Sequence, residues 1–314
     1  MHAHMRMARF AGIGVLVLSW YPKGLADANG KPVDDLVLPL LNVAQSYGLK
    51  VCLHIEPYGN RTAASVASDL IYAHFRGYTT HPAYFRLPRR LGNGSDTTLL
   101  PVFFVYDSYR ISNLEWTSIL STDGAMSIRK KAHDGYMIGL LMEITSCQNL
   151  RDSGFDGGYT YFVGSSTSEA SSTSNWKKLS VSCLAAGLEF YPSIGPGYHD
   201  LSIRPWNRKT VVARSGGDKF YESYSAATKV TPSGLGITSF NEWHEGSQVE
   251  PAVPKSGPHS YMDYSPFSPE FYLRLVRLFV NHFEGFTSLP HSFWLAPDNE
   301  VNRLKKINDT LSLL

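Results

Sequence analysis

Apolar positions in this chain fall in unbroken blocks separated by polar stretches, not in strict alternation. Residues 12–19, Gly-Ile-Gly-Val-Leu-Val-Leu-Ser, form the first block and end in Trp20-Tyr21-Pro22. A continuous Val/Leu/Ile run of this length predicts a strand covered on both faces, here over 13–18, as in a parallel sheet. Residues 33–47 place Leu36, Leu40, Leu41 and Ala44 on one helical face, and Gly48 stops the pattern. A second strand is predicted over 49–55, ending in Glu56-Pro57-Tyr58, followed by a helix over 63–75. Residues 76–98 are rich in Gly, Pro, Arg and Asn and read as a long loop. Further strands are predicted over 99–105 (ending in Tyr106-Asp107-Ser108-Tyr109), 136–142 (ending in Glu143), 157–162, 188–191 and 235–240. Helices are predicted over 114–120, 175–186, 220–230 and 270–283, the last opened by Ser268-Pro269. The Ser/Thr-rich loop over 164–174 is long enough for a substrate lid.

Apolar strands alternating with helices predict parallel βα units. Nearly every strand ends in an acidic, aromatic or hydroxyl residue, which resembles the active face of a (β/α) barrel. A doubly wound sheet is the alternative, but no Gly-rich phosphate fingerprint follows the first strand. The expectation is an α/β chain, a (β/α)8 TIM-type barrel over 1–286 with a C-terminal tail over 287–314. A closed barrel of this type needs about eight strands, and the pattern supplies about seven, none of them before Ala11. The barrel is therefore expected to lack its first strand.

Composition narrows this picture modestly. A net charge of +2 implies no nucleic-acid or acidic-membrane partner. The apolar run over 11–20 is too short to span a bilayer and has no small-residue cleavage site after it, so no membrane segment is expected. Cys52, Cys147 and Cys183 lack CxxC spacing, which argues against a zinc or redox motif, and their odd number leaves at least one free thiol. Sequons stand at Asn60, Asn93 and Asn308. The 18 Tyr and 6 Trp suit either sugar stacking or an aromatic core.

The chemistry concentrates in residues 236–246, where a β-favouring run gives way to Asn241-Glu242-Trp243-His244-Glu245-Gly246. Paired carboxylates at a strand end are the equipment of glycoside hydrolysis. The plain alternative is a helix N-terminus, whose dipole favours acidic residues.

Seven motifs stand in order between about Arg9 and about Phe283: Ser19-Trp20-Tyr21-Pro22, His54-Ile55-Glu56-Pro57-Tyr58, Tyr106-Asp107-Ser108-Tyr109, the Phe155-Asp156-Gly157 run through Phe162, Pro192-Ser193-Ile194-Gly195-Pro196-Gly197-Tyr198, Ile203-Arg204-Pro205-Trp206-Asn207 and Ser239 to Gly246. Together they resemble the endo-α-1,2-mannosidases of glycoside hydrolase family 99, the animal Golgi type more than the bacterial. The resemblance implies a (β/α)8 barrel that cuts inside an α-mannosyl chain with retention and without metal or cofactor. It implies glucosylated high-mannose N-glycans on glycoproteins as substrate, a Glc-Man type product and a Golgi location. It also implies an unusual route, in which Glu242 is the base on the sugar's own 2-hydroxyl, giving a 1,2-anhydro sugar, and Glu245 is the acid/base. The axial 2-hydroxyl of α-mannose stands trans to the leaving group, so backside attack is geometrically allowed. A conventional retaining enzyme would use one Glu as nucleophile, and the residues alone leave both routes open. Trp243 and His244 are expected to desolvate and orient the pair.

The supporting residues follow from the same resemblance. Glu56 is expected to line the sugar site, with a buried ion-pair carboxylate as its alternative. Tyr159 and Arg204 match positions that contact sugar near the cleaved bond; Arg204 could instead stack on Trp206. Tyr106 and Asp107 are expected either to bind sugar hydroxyls or to cap the next helix, and Trp20 and Tyr21 to form a stacking wall or to pack in the core. His54 reads as a satisfied core histidine. The family's anchor, stem and aromatic-rich first strand have no counterpart here, and Arg110 after Tyr109 is a smaller departure. Two rival readings remain: an inactive truncated glycan-binding remnant, and a metal-dependent barrel hydrolase using His54, Glu56, Asp107 and Glu143, for which no HxH or HExxH spacing is present.

Overall fold

The computed structural model describes residues 1–27, 30–90, 97–162, 168–207, 210–255, 263–287 and 309–310. These form two compact units: Met1–Arg6 with Gly14–Thr160 and Lys178–Tyr191, and Met7–Ile13 with Tyr161–Lys177 and Pro192–Leu314. The chain opens with helix α1 (His2–Ala11).

The first unit holds β1 (Val15–Trp20), α2 (Val37–Ser46), β2 (Lys50–Ile55), α3 (Ala63–Phe75), β3 (Arg86–Arg90), β4 (Thr97–Val105), α4 (Asn113–Leu120), β5 (Tyr136–Leu140), α5 (Ser146–Asp152), β6 (Gly157–Tyr159) and, after α6 (Trp176–Ala185), β7 (Glu189–Tyr191). The strands pair in parallel in the order β1-β2-β4-β5-β6-β7. Their runs are unbroken because the sheet is covered: every residue of β5 is buried, as are five of six in β2. Helices α2, α3 and α4 bury Leu41, Leu70 and Trp116. Capping boxes, Thr62 with Ser65 and Ser112 with Glu115, fix the starts of α3 and α4. A disulfide joins Cys147 on α5 to Cys183 on α6, and Cys52 is the buried free thiol. The register sets Trp20 beside Ile55, Ile55 beside Val105 and Tyr159 beside Tyr191. The residues that follow these strands thereby emerge at one edge of the sheet.

The second unit contains the short parallel pair β8 (Ser193–Ile194) and β9 (Gly236–Ile237), with α7 (Asp218–Ala227) and α8 (Phe271–Phe283). Its core is aromatic: Tyr224 stacks on Phe279 at 4.3 Å, and Phe220 and Tyr272 are buried.

Several predicted boundaries are corrected. The loop expected over 76–98 contains β3, which pairs antiparallel with β4 from Arg86↔Pro101 to Arg90↔Thr97. Its Arg-Leu-Pro-Arg-Arg composition is that of a strand tolerated at a sheet margin, where charge and proline are admitted. The helix over 33–47 begins as a 3-10 turn, Asp34–Leu36. The strand predicted over 235–240 shrinks to two residues, because the Ser239 N–H donates to the Ser247 carbonyl within the loop that follows. Within the expected lid, residues 168–174 carry two 3-10 turns and 164–167 lie outside the described residues, as do the Asn93 sequon and nearly all of the tail.

Candidate active site

In the first unit the candidate residues converge at the carboxyl end of β2. Glu56 Oε1 accepts the Ser19 hydroxyl at 2.8 Å and lies 2.7 Å from His54 Nδ1. His54 Nε2 lies 2.8 Å from the Tyr159 hydroxyl oxygen. A carboxylate can only accept, so the proton of the Glu56–His54 contact sits on Nδ1. Burial pushes the Glu56 carboxyl up, but His54, Ser19 and Arg61 outweigh that and hold it below the usual carboxylate range. Tyr106 joins the cluster, its ring 5.4 Å from that of His54. Tyr21 is close enough that burial first, then the Glu56 charge, pushes its phenol up. His54 is the satisfied core histidine expected of it, and it bridges two site residues.

For two residues of this cluster the expected alternatives narrow. Trp20 has no exposed surface, and its indole donates to the buried Asp34 carboxylate at 2.9 Å. A ring so enclosed is core packing, the alternative expected for Trp20. Asp107 does not cap through its side chain: it takes a left-handed conformation (φ 49°) before the 3-10 turn Ser108–Arg110, and its carboxylate pairs with Arg110 at 2.8 Å. Arg61 had no sequence signal. It donates to the carbonyls of Ile55 (3.3 Å) and Asp107 (2.9 Å), strapping the β2 and β4 ends together. Among the described residues, no group of three or more His, Cys, Asp or Glu is placed to hold a metal ion, so His54, Glu56, Asp107 and Glu143 do not form the ligand set of the metal-dependent reading.

In the second unit the site is the turn after β9. Ser239 and Ser247 hydroxyls meet at 2.9 Å, and Ser239 also accepts the Glu242 N–H at 2.9 Å. Residues Trp243–Glu245 make one 3-10 turn, too short for the helix N-terminus considered as the alternative. Glu242 Oε1 accepts the His244 N–H at 3.2 Å. His244 thus orients the carboxylate through its peptide group, while its side chain is exposed. The Trp243 indole donates to Glu250 at 2.9 Å. Gly246 closes the turn at φ 58°, and a Cβ there would lie 2.9 Å from the His199 carbonyl oxygen, which leaves room only for glycine. Arg214 Nη2 donates to the Gly246 and Gln248 carbonyls at 2.9 and 2.7 Å, with its guanidinium 4.5 Å from the Tyr272 ring centroid.

Glu245 accepts from Arg204 Nη1 at 3.2 Å. Burial, then the neighbouring Glu242 charge, pushes the Glu245 carboxyl above its ordinary range, and Arg204 offsets only part of this. Arg204 also donates to Asp200 at 3.2 Å and to the Tyr198 hydroxyl at 3.1 Å, while Trp206 is 79% exposed. Its role is an ion-pair bridge, in place of the stack on Trp206. Asp200 was not singled out in the sequence, although an acid four residues before Arg204 was a readable signal. Arg214 and the Ser239–Ser247 pair carried none.

The description Glycosyl hydrolase family 99 matches residues 1–285. The chain is 44% identical over 281 residues to a human glycoprotein endo-alpha-1,2-mannosidase-like protein, covering 89% of this chain and 60% of that one. It is 44% identical over 282 residues to the mouse glycoprotein endo-alpha-1,2-mannosidase, again 89% and 60%. The chain thus spans about 60% of the length of these curated relatives. Among solved structures it resembles the GH99 endo-alpha-mannosidase from Bacteroides thetaiotaomicron, with a TM-score of 0.80, 36% identity, and coverage of 92% of this chain and 80% of that one. That likeness bears out the α/β, TIM-barrel-type fold expected from the alternating pattern.

Proposed function

Because the chain belongs to glycosyl hydrolase family 99, we propose that it is a retaining, endo-acting α-1,2-mannosidase that trims glucosylated high-mannose N-glycans. The observation that carries the reading is the state of Glu245. It lies beside a second carboxylate, is held by Arg204, and its own carboxyl is pushed upward by burial and by Glu242. An acid that protonates a glycosidic oxygen near neutral pH needs such an elevated carboxyl.

In the proposed reaction Glu242 takes the proton of the mannose 2-hydroxyl while that oxygen attacks C1 from the face opposite the aglycone. Glu245 donates its proton to the departing oxygen, and the C1–O bond breaks. The 1,2-anhydro sugar then opens when water, deprotonated by Glu245, attacks C1, and Glu242 returns its proton to O2. Two inversions give net retention. Glu56, Tyr159, Tyr106, Asp107 and Tyr21 are assigned to sugar recognition, with Arg204 between sugar and acid. Trp243 and His244 shape the carboxylate turn. The Cys147–Cys183 disulfide is in keeping with an oxidising secretory compartment, as are the relatives' glycoprotein-directed names, and within it the proposed location is the Golgi lumen. Among the described residues no helix is long and apolar enough to cross a membrane.

The test is turnover of a glucosylated high-mannose glycan, read by the mass of the released sugar. Release of a glucosyl-mannose disaccharide, insensitive to chelator and lowered on the order of 10²–10⁴-fold by Glu245→Gln, supports the reading. Binding without release assigns the chain to the glycan-binding remnant instead. Release of single mannose units, or activity untouched by the substitution, overturns it.

A further inference from the structure

Asp200 takes no part in the reaction proposed above, yet it is fully buried beside the acid's partner. Its Oδ2 accepts the Tyr198 hydroxyl at 3.0 Å, the Asn207 amide at 2.7 Å and Arg204 Nη1 at 3.2 Å. Its Oδ1 is buried with no hydrogen-bond partner. The same Arg204 Nη1 also donates to Glu245 Oε1 at 3.2 Å and to the Tyr198 oxygen at 3.1 Å. A guanidinium nitrogen of this kind carries two N–H groups, so three acceptors share two hydrogens. Tyr198 cannot relieve the competition, because its own proton goes to Asp200.

We infer that Asp200 is a positioning residue for the acid/base: it draws Arg204 away from full pairing with Glu245 and so keeps Glu245 able to hold a proton. The inference rests on reading Glu245 as the acid. A buried carboxylate fixed by three donors cannot swing toward solvent, so it competes for Arg204 in every turnover. Were Asp200 neutral, Arg204 would pair more fully with Glu245, and the acid would lose its proton at a lower pH. The charged and titratable groups around Glu245 are Glu242 and His244 on its own turn, and Tyr198, His199, Asp200 and Arg204 on the facing segment. Among the described residues, Asp200 is the carboxylate that touches Arg204 without being placed in the reaction; Tyr198, which also touches it, is a phenol that gives its proton to Asp200. Asp200 adds a smaller upward push to the Glu245 carboxyl, in the direction the geometry requires.

The experiment titrates Glu245 directly by carboxyl-carbon NMR in the substrate-free protein, beside the pH profile of kcat/KM. Asp200→Asn is expected to move the Glu245 titration and the alkaline limb down together, by about one unit for loss of one nearby charge. Asn207→Ala removes a competing donor from Asp200 without touching Glu245, and is expected to shift both upward by a smaller step. An Asp200→Asn protein that melts like the parent with an unmoved Glu245 titration overturns the inference. Should that variant not fold, an unmoved titration in Asn207→Ala overturns it equally. A titration that moves while the activity limb stays fixed upholds the Asp200 inference and instead sinks the assignment of Glu245 as acid.

Discussion

Arg204 Nη1 and Glu245 Oε1 stand 3.2 Å apart although 41 residues separate them in the chain. This contact opposes the forces that raise the Glu245 carboxyl: burial first, then the Glu242 charge, and to a smaller extent Asp200. Removing the cation should let those forces act unopposed. Arg204→Met is expected to move the alkaline limb of kcat/KM to higher pH, since Glu245, as the proposed acid, acts in its protonated form and would lose its proton later. At the optimum the rate should still fall by roughly 10–100-fold, because the acid loses its anchor. A pH–rate series on parent and variant checks both, and a limb that moves to lower pH contradicts the electrostatic account.

Glu56 provides a stability prediction of definite sign. Its folded carboxyl is depressed: burial opposes this, but His54, Ser19 and Arg61 prevail. A depressed carboxyl stabilises the fold above its unfolded value, near 4.3, and that contribution disappears as pH falls through the folded value. Glu56→Gln should therefore cost about 1–3 kcal/mol at pH 7, the scale of hydrogen bonds to a charged group, and much less at pH 3. Urea unfolding at the two pH values reads the difference; an equal cost at both would remove the ionic component.

Asp69 on α3 behaves in the opposite way. Burial pushes its carboxyl up to about 6, even though it accepts from the Tyr58 hydroxyl. A raised carboxyl contributes stability that is full below its unfolded value, near 3.9, and is lost as pH rises through about 6. Asp69→Asn keeps an acceptor for Tyr58 and removes the charge. The variant is expected to gain on the parent between about pH 3 and pH 7, by up to about 3 kcal/mol. Melting curves across that range test it, and a constant difference would contradict it.

The Cys147–Cys183 bridge closes a loop with a separation of 36 residues. Loop closure of that length is worth about 4 kcal/mol in the chain-entropy account, with measured values usually nearer 2–4. Cys183→Ser is expected to lower stability by about that amount and to abolish the difference between oxidised and reduced protein in denaturant. Thiol labelling of the unreduced parent should then detect Cys52 alone, and only after unfolding, because that thiol is buried.

What could be read from the chain follows from how local each signal is. β2 and β4 were legible because parallel strands covered on both faces leave unbroken apolar runs. β3 was not, since its arginines and Pro88 make sense only once the start of β4 lies alongside. Glu242 and Glu245 stood out as candidates because two carboxylates at one short turn are a local signal. The bridge from Arg204 was not, because its worth depends on Asp200 and Glu245 arriving from different stretches. Trp20 shows the limit of residue type: an indole at a strand end suits a sugar wall or a core equally, and only the buried Asp34 decides. The cysteine pairing was equally hidden, resting on how α5 and α6 pack.

One contact has a consequence for how this turn tolerates change. Glu242 Oε1 accepts the peptide N–H of residue 244, a backbone group present whatever side chain is attached there. This one contact is therefore kept when the side chain at position 244 changes in charge, size or polarity. The one replacement shut out on backbone grounds is proline, which has no N–H to give. The 3.2 Å bond to the Glu242 carboxylate is in this sense a property of the backbone.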